Sequence, residues 1–145
     1  MSILSKLFNK PAVEATVFYK AVDADGLSFF PIVKADRINW VDLIGKTYAL
    51  GDDAAWEEAQ ARLAEGESAC CTKHLLHGYA DIELAKDFGK RNAPRVTGYR
   101  IIAFMGTPVA KMEGSLLLVD KGKFPDAVKY GFRSVQVLYE EMIDG

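Results

Sequence analysis

The stretch from Arg95 to Ile143 constrains the fold of this chain more than any other. Two apolar segments of strand-like composition, 95–105 and 109–119, meet at Gly106-Thr107-Pro108, a combination that reverses a chain. Side chains alternate along a strand, so Val96, Gly98, Arg100, Ile102 and Phe104 share one face and Thr97, Tyr99, Ile101, Ala103 and Met105 the other. Both faces become apolar toward the turn, and the run Leu116-Leu117-Leu118-Val119 is apolar on both sides. One face therefore packs on helices and the other on a second layer or subunit. Residues 125–143 follow, with Val128, Phe132, Val135, Tyr139 and Met142 at alternating steps of four and three, the stripe of an amphipathic helix. Pro125 suits the first position of that helix, and Asp126 meets the positive end of its dipole. The expectation is a β-hairpin covered by a long C-terminal helix. Alternation of Val135, Val137 and Tyr139 also fits a strand over 134–139, which ranks second.

A chain of 145 residues, half of them apolar, has the size of one domain and can hide about two thirds of its unfolded surface. The expectation is a single α+β domain over 1–145, with 1–11 as a short amphipathic segment. Ile3, Leu4, Leu7 and Phe8 lie on one helical face there, which fits a short helix docked on the domain, with attachment to a membrane surface as the alternative. No run approaches the ~20 apolar residues of a spanning helix. The formal net charge of −2 gives no field that favours phosphate backbones. With no secretory pattern and only two cysteines, adjacent in sequence, a reducing cytoplasm is the expected setting.

Between these ends, 15–22 and 27–35 read as two strands of a hairpin around Asp23-Ala24-Asp25-Gly26, because Asp-Gly supports a tight reversal. Pro31 makes the second an edge strand or breaks it. Asp36 can cap a short helix over 37–44 that Gly45 ends. Gly45-Lys46-Thr47 is part of a phosphate-binding loop, but Trp40 stands where the pattern needs another glycine, so we read a helix stop. A helix over 54–65 follows, with Trp56, Ala59 and Leu63 along one stripe and Glu58 four residues before Arg62. The acidic excess between Asp52 and Glu67 reads as a solvated face, or as a docking face for a basic partner. Ser68 can cap a helix that Gly78 ends, and Asp81 a further one over 82–88 stopped by Gly89.

All histidines and cysteines fall in Cys70-Cys71-Thr72-Lys73-His74-Leu75-Leu76-His77. On a helix, Cys70, His74 and His77 would span an arc of about 60°. Thiolate and imidazole are what zinc and other transition metals prefer, so these three are the candidate metal ligands. Positions i and i+7 lie about 10.5 Å apart along the axis, so one helix supplies two ligands to an ion, and any closed site borrows the rest from elsewhere. An ordinary polar helix face needing no cofactor is the simpler reading, and thiol chemistry assisted by His74 a further one. A second cluster, Lys86, Lys90, Arg91, Arg95 and Arg100, faces a single aspartate in sequence. Lys90, Arg91, Arg95 and Arg100 are its candidate binding residues, and a nucleic-acid strand is the alternative partner, disfavoured because no recognition-helix or RNA-binding aromatic motif accompanies them.

Catalytic templates lack their parts, with no nucleophile elbow and no glycine-rich dinucleotide turn, which points away from an enzyme. The expected fold class is thus α+β, two mostly antiparallel hairpins packed with several short helices and a long C-terminal helix. In element order alone, without a shared motif, this resembles small acidic bacterial secretion chaperones. Those are dimeric α+β proteins that hold unfolded stretches of a partner. In this chain the absence of catalytic parts and the apolar faces of the hairpin and the terminal helix predict protein binding and a homodimer. The functional expectation is a non-enzymatic adaptor or chaperone-like protein that binds a protein partner or itself. A metal- or thiol-dependent protein is the alternative and a weak nucleic-acid binder the second.

Overall fold

The computed structural model describes residues 16–29, 37–51, 53–64, 75–113, 119–120 and 122–143. Along these the order is β1 Val17–Asp23, β2 Thr47–Ala49, α1 Asp53–Ala64, β3 Leu76–Gly78, α2 Ile82–Asn92, β4 Tyr99–Met105, β5 Pro108–Glu113, β6 Val128–Phe132 and β7 Ser134–Glu141. Sheet dominates, in two antiparallel sheets with strand orders β1-β4-β7-β2 and β3-β6-β5. The expected long C-terminal helix is wrong: residues 128–141 form β6 and β7. Valine and aromatic residues favour strands in this stretch, and Gly131 and Ser134 are weak helix formers. Its helical stripe is produced by a bend. Phe132 is buried on β6, Val135 and Val137 on β7, and the bend at Arg133 shifts the inward phase by one residue. That shift turns a step of two into a step of three. The resemblance to secretion chaperones rested on the expected element order, the long terminal helix included, and lapses with that order.

The expected hairpin across Gly106-Thr107-Pro108 also takes another form. β4 pairs with β1 and β7, and β5 pairs with β6. Two long strands, β4 running into β5 and β6 into β7, cross side by side from one sheet to the other, as Met105 opposite Gln136 and Pro108 opposite Phe132 record. Gly106 permits this corner, because a Cβ there would stand 2.8 Å from the Ser134 carbonyl oxygen. The ring of strands then closes where the Tyr19 N–H donates to the Tyr79 carbonyl at 2.7 Å and the Tyr79 N–H to the Tyr19 carbonyl at 2.8 Å. The circuit β1-β4-β7/β6-β3-β1 is a small barrel, with β2 and β5 flanking it.

Phe18, Val22, Trp40, Leu76, Ile102, Phe104, Phe132, Val135 and Val137 fill the barrel. Phe104 meets Phe132 edge-on at 5.1 Å, Trp40 at 5.3 Å and Phe18 stacked at 5.9 Å, geometries that suit the aromatic quadrupole. On the outer face of the first sheet α2 buries Leu84, Ala85 and Phe88 against Ala21, Tyr79 and Ile101. The doubly apolar β4 is thereby explained, with Ile102 and Phe104 facing the barrel and Ile101 the helix. Asp81 caps α2, accepting from the Glu83 N–H at 2.9 Å, as expected. The helix continues past Gly89, which was expected to stop it. Gly89 instead lies against the Tyr99 ring, with 2.4 Å between that ring and an added Cβ, so it serves close approach.

Residues 54–65 were expected as a helix and α1 spans Asp53–Ala64. The reversal after β1 is an Asx turn, with Asp23 Oδ1 accepting from Asp25 N and Leu27 N at 2.9 Å each and Gly26 at φ 92°. The expected first hairpin is absent from the described residues, since β1 finds its partner in β4 and Leu27 bridges only Asn39. In place of a helix over 37–44, Asn39 Oδ1 takes the Val41 and Asp42 N–H groups. That turn drops Trp40 into the barrel, fully buried. No helix of the described residues is long and apolar enough to cross a membrane. The expected segment 1–11, residues 30–35 of the expected strand over 27–35, and the expected cap Asp36 lie outside the described residues.

Two glycines distinguish packing from propensity. A Cβ on Gly78 would lie 2.4 Å from the buried Phe104 ring, whereas one on Gly51 meets nothing within 4 Å. Gly78→Ala is expected to destabilise the protein by roughly 1–3 kcal/mol and Gly51→Ala by less than about 0.5 kcal/mol, as urea denaturation will measure.

Candidate functional site

At the corner where both long strands cross, a broad groove of about 890 Å³ opens. Thr16, Phe18, Thr47, Ala80, Tyr130 and the segments 105–109 and 133–136 line it. Its walls carry the apolar surfaces of Phe18, Met105, Pro108, Val109, Tyr130 and Val135, interrupted by hydroxyls from Thr47, Thr107 and Ser134. Val109 is 47% exposed. Such a lining binds apolar groups and orients them with a few polar atoms. On the neighbouring edge, β5 meets β6 on one side and no strand on the other among the described residues.

Arg133 holds the bend that shapes this groove. Its guanidinium donates to the Leu50 carbonyl at 3.2 Å and to Asp53 Oδ1 at 3.0 Å, and lies 5.5 Å from the Trp56 ring centre. The Leu50 N–H returns a bond to the Arg133 carbonyl at 2.9 Å. One side chain thus ties the start of α1 to the corner. The planar guanidinium does this by stacking and forking together, which an ammonium cannot.

Inside the barrel the sequence places a lysine where its neighbours are apolar. Phe18, Lys20 and Val22 alternate inward on β1, and Lys20 lies opposite Ile102. Its amine donates to the His77 carbonyl of β3 at 3.1 Å and lies 5.2 Å from the Trp40 ring centre. The residue as a whole is half-buried, but its amine is enclosed. Burial, with repulsion from Lys129 second, lowers its pKa to about 7. The carbonyl and the indole face compensate only part of the lost hydration. Sequence reasoning missed this residue although period-two alternation of Phe18, Lys20 and Val22 would have found it. On the opposite face of β1, burial raises the Tyr19 phenol, and Tyr139 and Glu141 raise it further.

Of the candidate metal ligands, His77 sits on β3, opposite Gly131 of β6, so a helix carrying all three does not extend to it. Cys70, Cys71 and His74 lie outside the described residues. Among the described residues no group of three or more His, Cys, Asp and Glu is placed to hold a metal ion. The basic candidates come apart as well. Arg91 pairs with Asp87 at 3.1 Å and Asp120 at 3.0 Å, Arg100 with Glu140 at 3.4 Å, and Lys86 with Glu83 at 3.3 Å. Asp120 is held below the usual carboxylate range by the Lys123 N–H first, and by the Gly122 N–H and Arg91 besides. Lys90 and Arg95 remain exposed and make no ion pair among the described residues. Sequence proximity had suggested a basic surface, but acidic neighbours supplied by the fold divide it. No protein-family model, curated protein or solved structure matches the chain.

Two measurements follow from these contacts. Asp53 is 91% exposed at its side chain, so Asp53→Asn should cost less than about 1 kcal/mol, whereas Arg133→Ala should cost about 1–3 kcal/mol and shift the Trp56 fluorescence. For Lys20 the folded amine loses its proton near pH 7 and the unfolded one near 10.5. Between those values the unfolded chain binds more protons, so stability rises with pH. Tyr19 and Tyr99, whose pKa values are raised from 10.0, oppose this only at higher pH. Lys20→Met should flatten the rise and, at pH 6, stabilise the fold by ~2–4 kcal/mol, as denaturation at pH 6, 7.5 and 9 will test.

Proposed function

We propose that this protein is a binding module rather than an enzyme, and that it takes an extended stretch of a partner polypeptide along the edge of β5 to which no described strand is paired. The observation that carries this reading is the position of that edge beside the groove. An unpaired strand edge presents a row of N–H and C=O groups that an incoming main chain can satisfy. Alternate side chains of such a guest project to one side, where Phe18, Tyr130, Pro108 and Val109 offer apolar contacts and Thr107 and Ser134 hydroxyls. The main chain supplies affinity and the groove supplies selection.

A second copy of the same chain is the other occupant this edge favours, since two identical edges can pair about a twofold axis. Nucleic acid is less well supported, because Arg91 and Arg100 are already engaged by acidic side chains.

Selection from a library of short random peptides, followed by calorimetry, tests the reading. Enriched peptides should carry apolar residues at alternate positions, and Val109→Glu should weaken them at least tenfold, ~1.4 kcal/mol, with the melting temperature unchanged. No enrichment, or equal affinity for the variant, would contradict it. A dimer in solution that Val109→Glu converts to monomer would identify the second copy as the occupant.

A further inference from the structure

The seam that closes the barrel is narrow. Among the described residues, β1 and the strand through β3 to Tyr79 meet through the paired main-chain bonds of Tyr19 and Tyr79 and through the Lys20 amine on the His77 carbonyl. Phe18 and Ala80, which flank that pair, both line the groove. The seam is therefore one wall of the groove as well as the closure of the barrel.

Protonation changes what Lys20 does there. A neutral amine donates one hydrogen to the His77 carbonyl and needs little else. An ammonium in the same place brings a full charge and further donors into an enclosure made of Trp40 and neighbouring apolar side chains, an arrangement that is costly without an opposite charge. No carboxylate lies within ion-pair distance of this amine among the described residues. On β4 and β7, Arg100 and Glu140 share the inward sheet face but bind each other. From β6, Lys129 repels the charge. β3 presents Leu76 and Gly78 to the interior and meets the amine through the His77 carbonyl, and the loop holding Trp40 meets it with an indole face.

We propose that protonation of Lys20 opens the seam between β1 and β3, so that the Phe18–Ala80 wall of the groove loosens as pH falls. The open form lets the ammonium reach water while the pairing of β1 with β4 persists along its seven-residue register. Only the consequence for binding rests on the partner reading above. The opening itself is a property of the free protein.

Amide hydrogen exchange by NMR on the ligand-free protein tests it, with rates corrected for intrinsic exchange. From pH 6 to pH 9, protection of the Tyr19 and Tyr79 amides should rise at least tenfold more than that of Phe104. Lys20→Met should abolish the difference, and Lys20→Arg, charged throughout, should keep the seam weakly protected at every pH. Should either variant fail to fold, an NMR titration of the Lys20 amine in the unaltered protein decides. A midpoint near 7 supports the proposal, and one near 10.5 overturns it. Equal changes at the seam and at Phe104 would overturn it as well. Since no ligand enters these measurements, their failure leaves the peptide selection unaffected.

Discussion

Phe104 stands where every part of the barrel meets. Its ring contacts Phe18 of β1, Trp40 of the loop before β2 and Phe132 of β6. Gly78 of β3 is bare so that the ring can pass. Those contacts come from four separate parts of the chain, so the ring cannot be placed until the strands have closed around it. Interior packing is dense enough that one added carbon is felt, and glycines at Gly78 and Gly106 are the points where backbone and ring, or backbone and backbone, come closest. The two crossing strands follow from the same requirement. β6 and β7 serve opposite sheets only because the chain bends at Arg133, and Arg133 is in turn held by Leu50 and Asp53.

This closure also creates the features with functional promise. Bending both long strands at one corner leaves β5 beyond the ring, with an edge to which no described strand is paired, and hollows the groove beside it. Closing the ring through Tyr19 and Tyr79 traps Lys20 on the inward side, where a charged group has little solvation. A binding edge and a titratable seam are thus products of one topology. The barrel interior is dominated by aromatic and branched apolar residues, so the lysine is a place where local chemistry and packing disagree, and such disagreements mark functional positions more often than ordinary core does.

Much of the local structure was legible in the sequence. Asp81 capped its helix, the alanine-rich 54–65 segment was helical, and Asp23 to Gly26 made a turn, because each depends on neighbours in sequence. Pairing depended on distant residues and was misread. Val128, Phe132, Val135 and Tyr139 follow helical spacing only because a bend joins two runs of period two, and nothing local announces a bend at Arg133. Gly131 and Ser134, poor helix formers amid valines and aromatics, were the available warning. Gly106-Thr107-Pro108 was read as a turn closing β4 on β5, yet a corner uses the same residues. Of the candidate site residues, Arg91 and Arg100 were joined to Asp87, Asp120 and Glu140 by contacts that charge counting along the chain does not reveal. Lys20 was legible and overlooked, since the faces of the first strand were not separated.

The central claim is that one bent strand shared by two sheets, with a seam at Tyr19 and Tyr79, closes the barrel. Backbone NMR on labelled protein tests it most directly. Extended chemical shifts through residues 128–141, with cross-strand contacts joining Phe104 to Val137, Lys111 to Tyr130 and Tyr19 to Tyr79, are the result this structure predicts. Helical shifts across the same residues, or the absence of the Tyr19–Tyr79 contact from an otherwise assigned spectrum at pH 9, would contradict it.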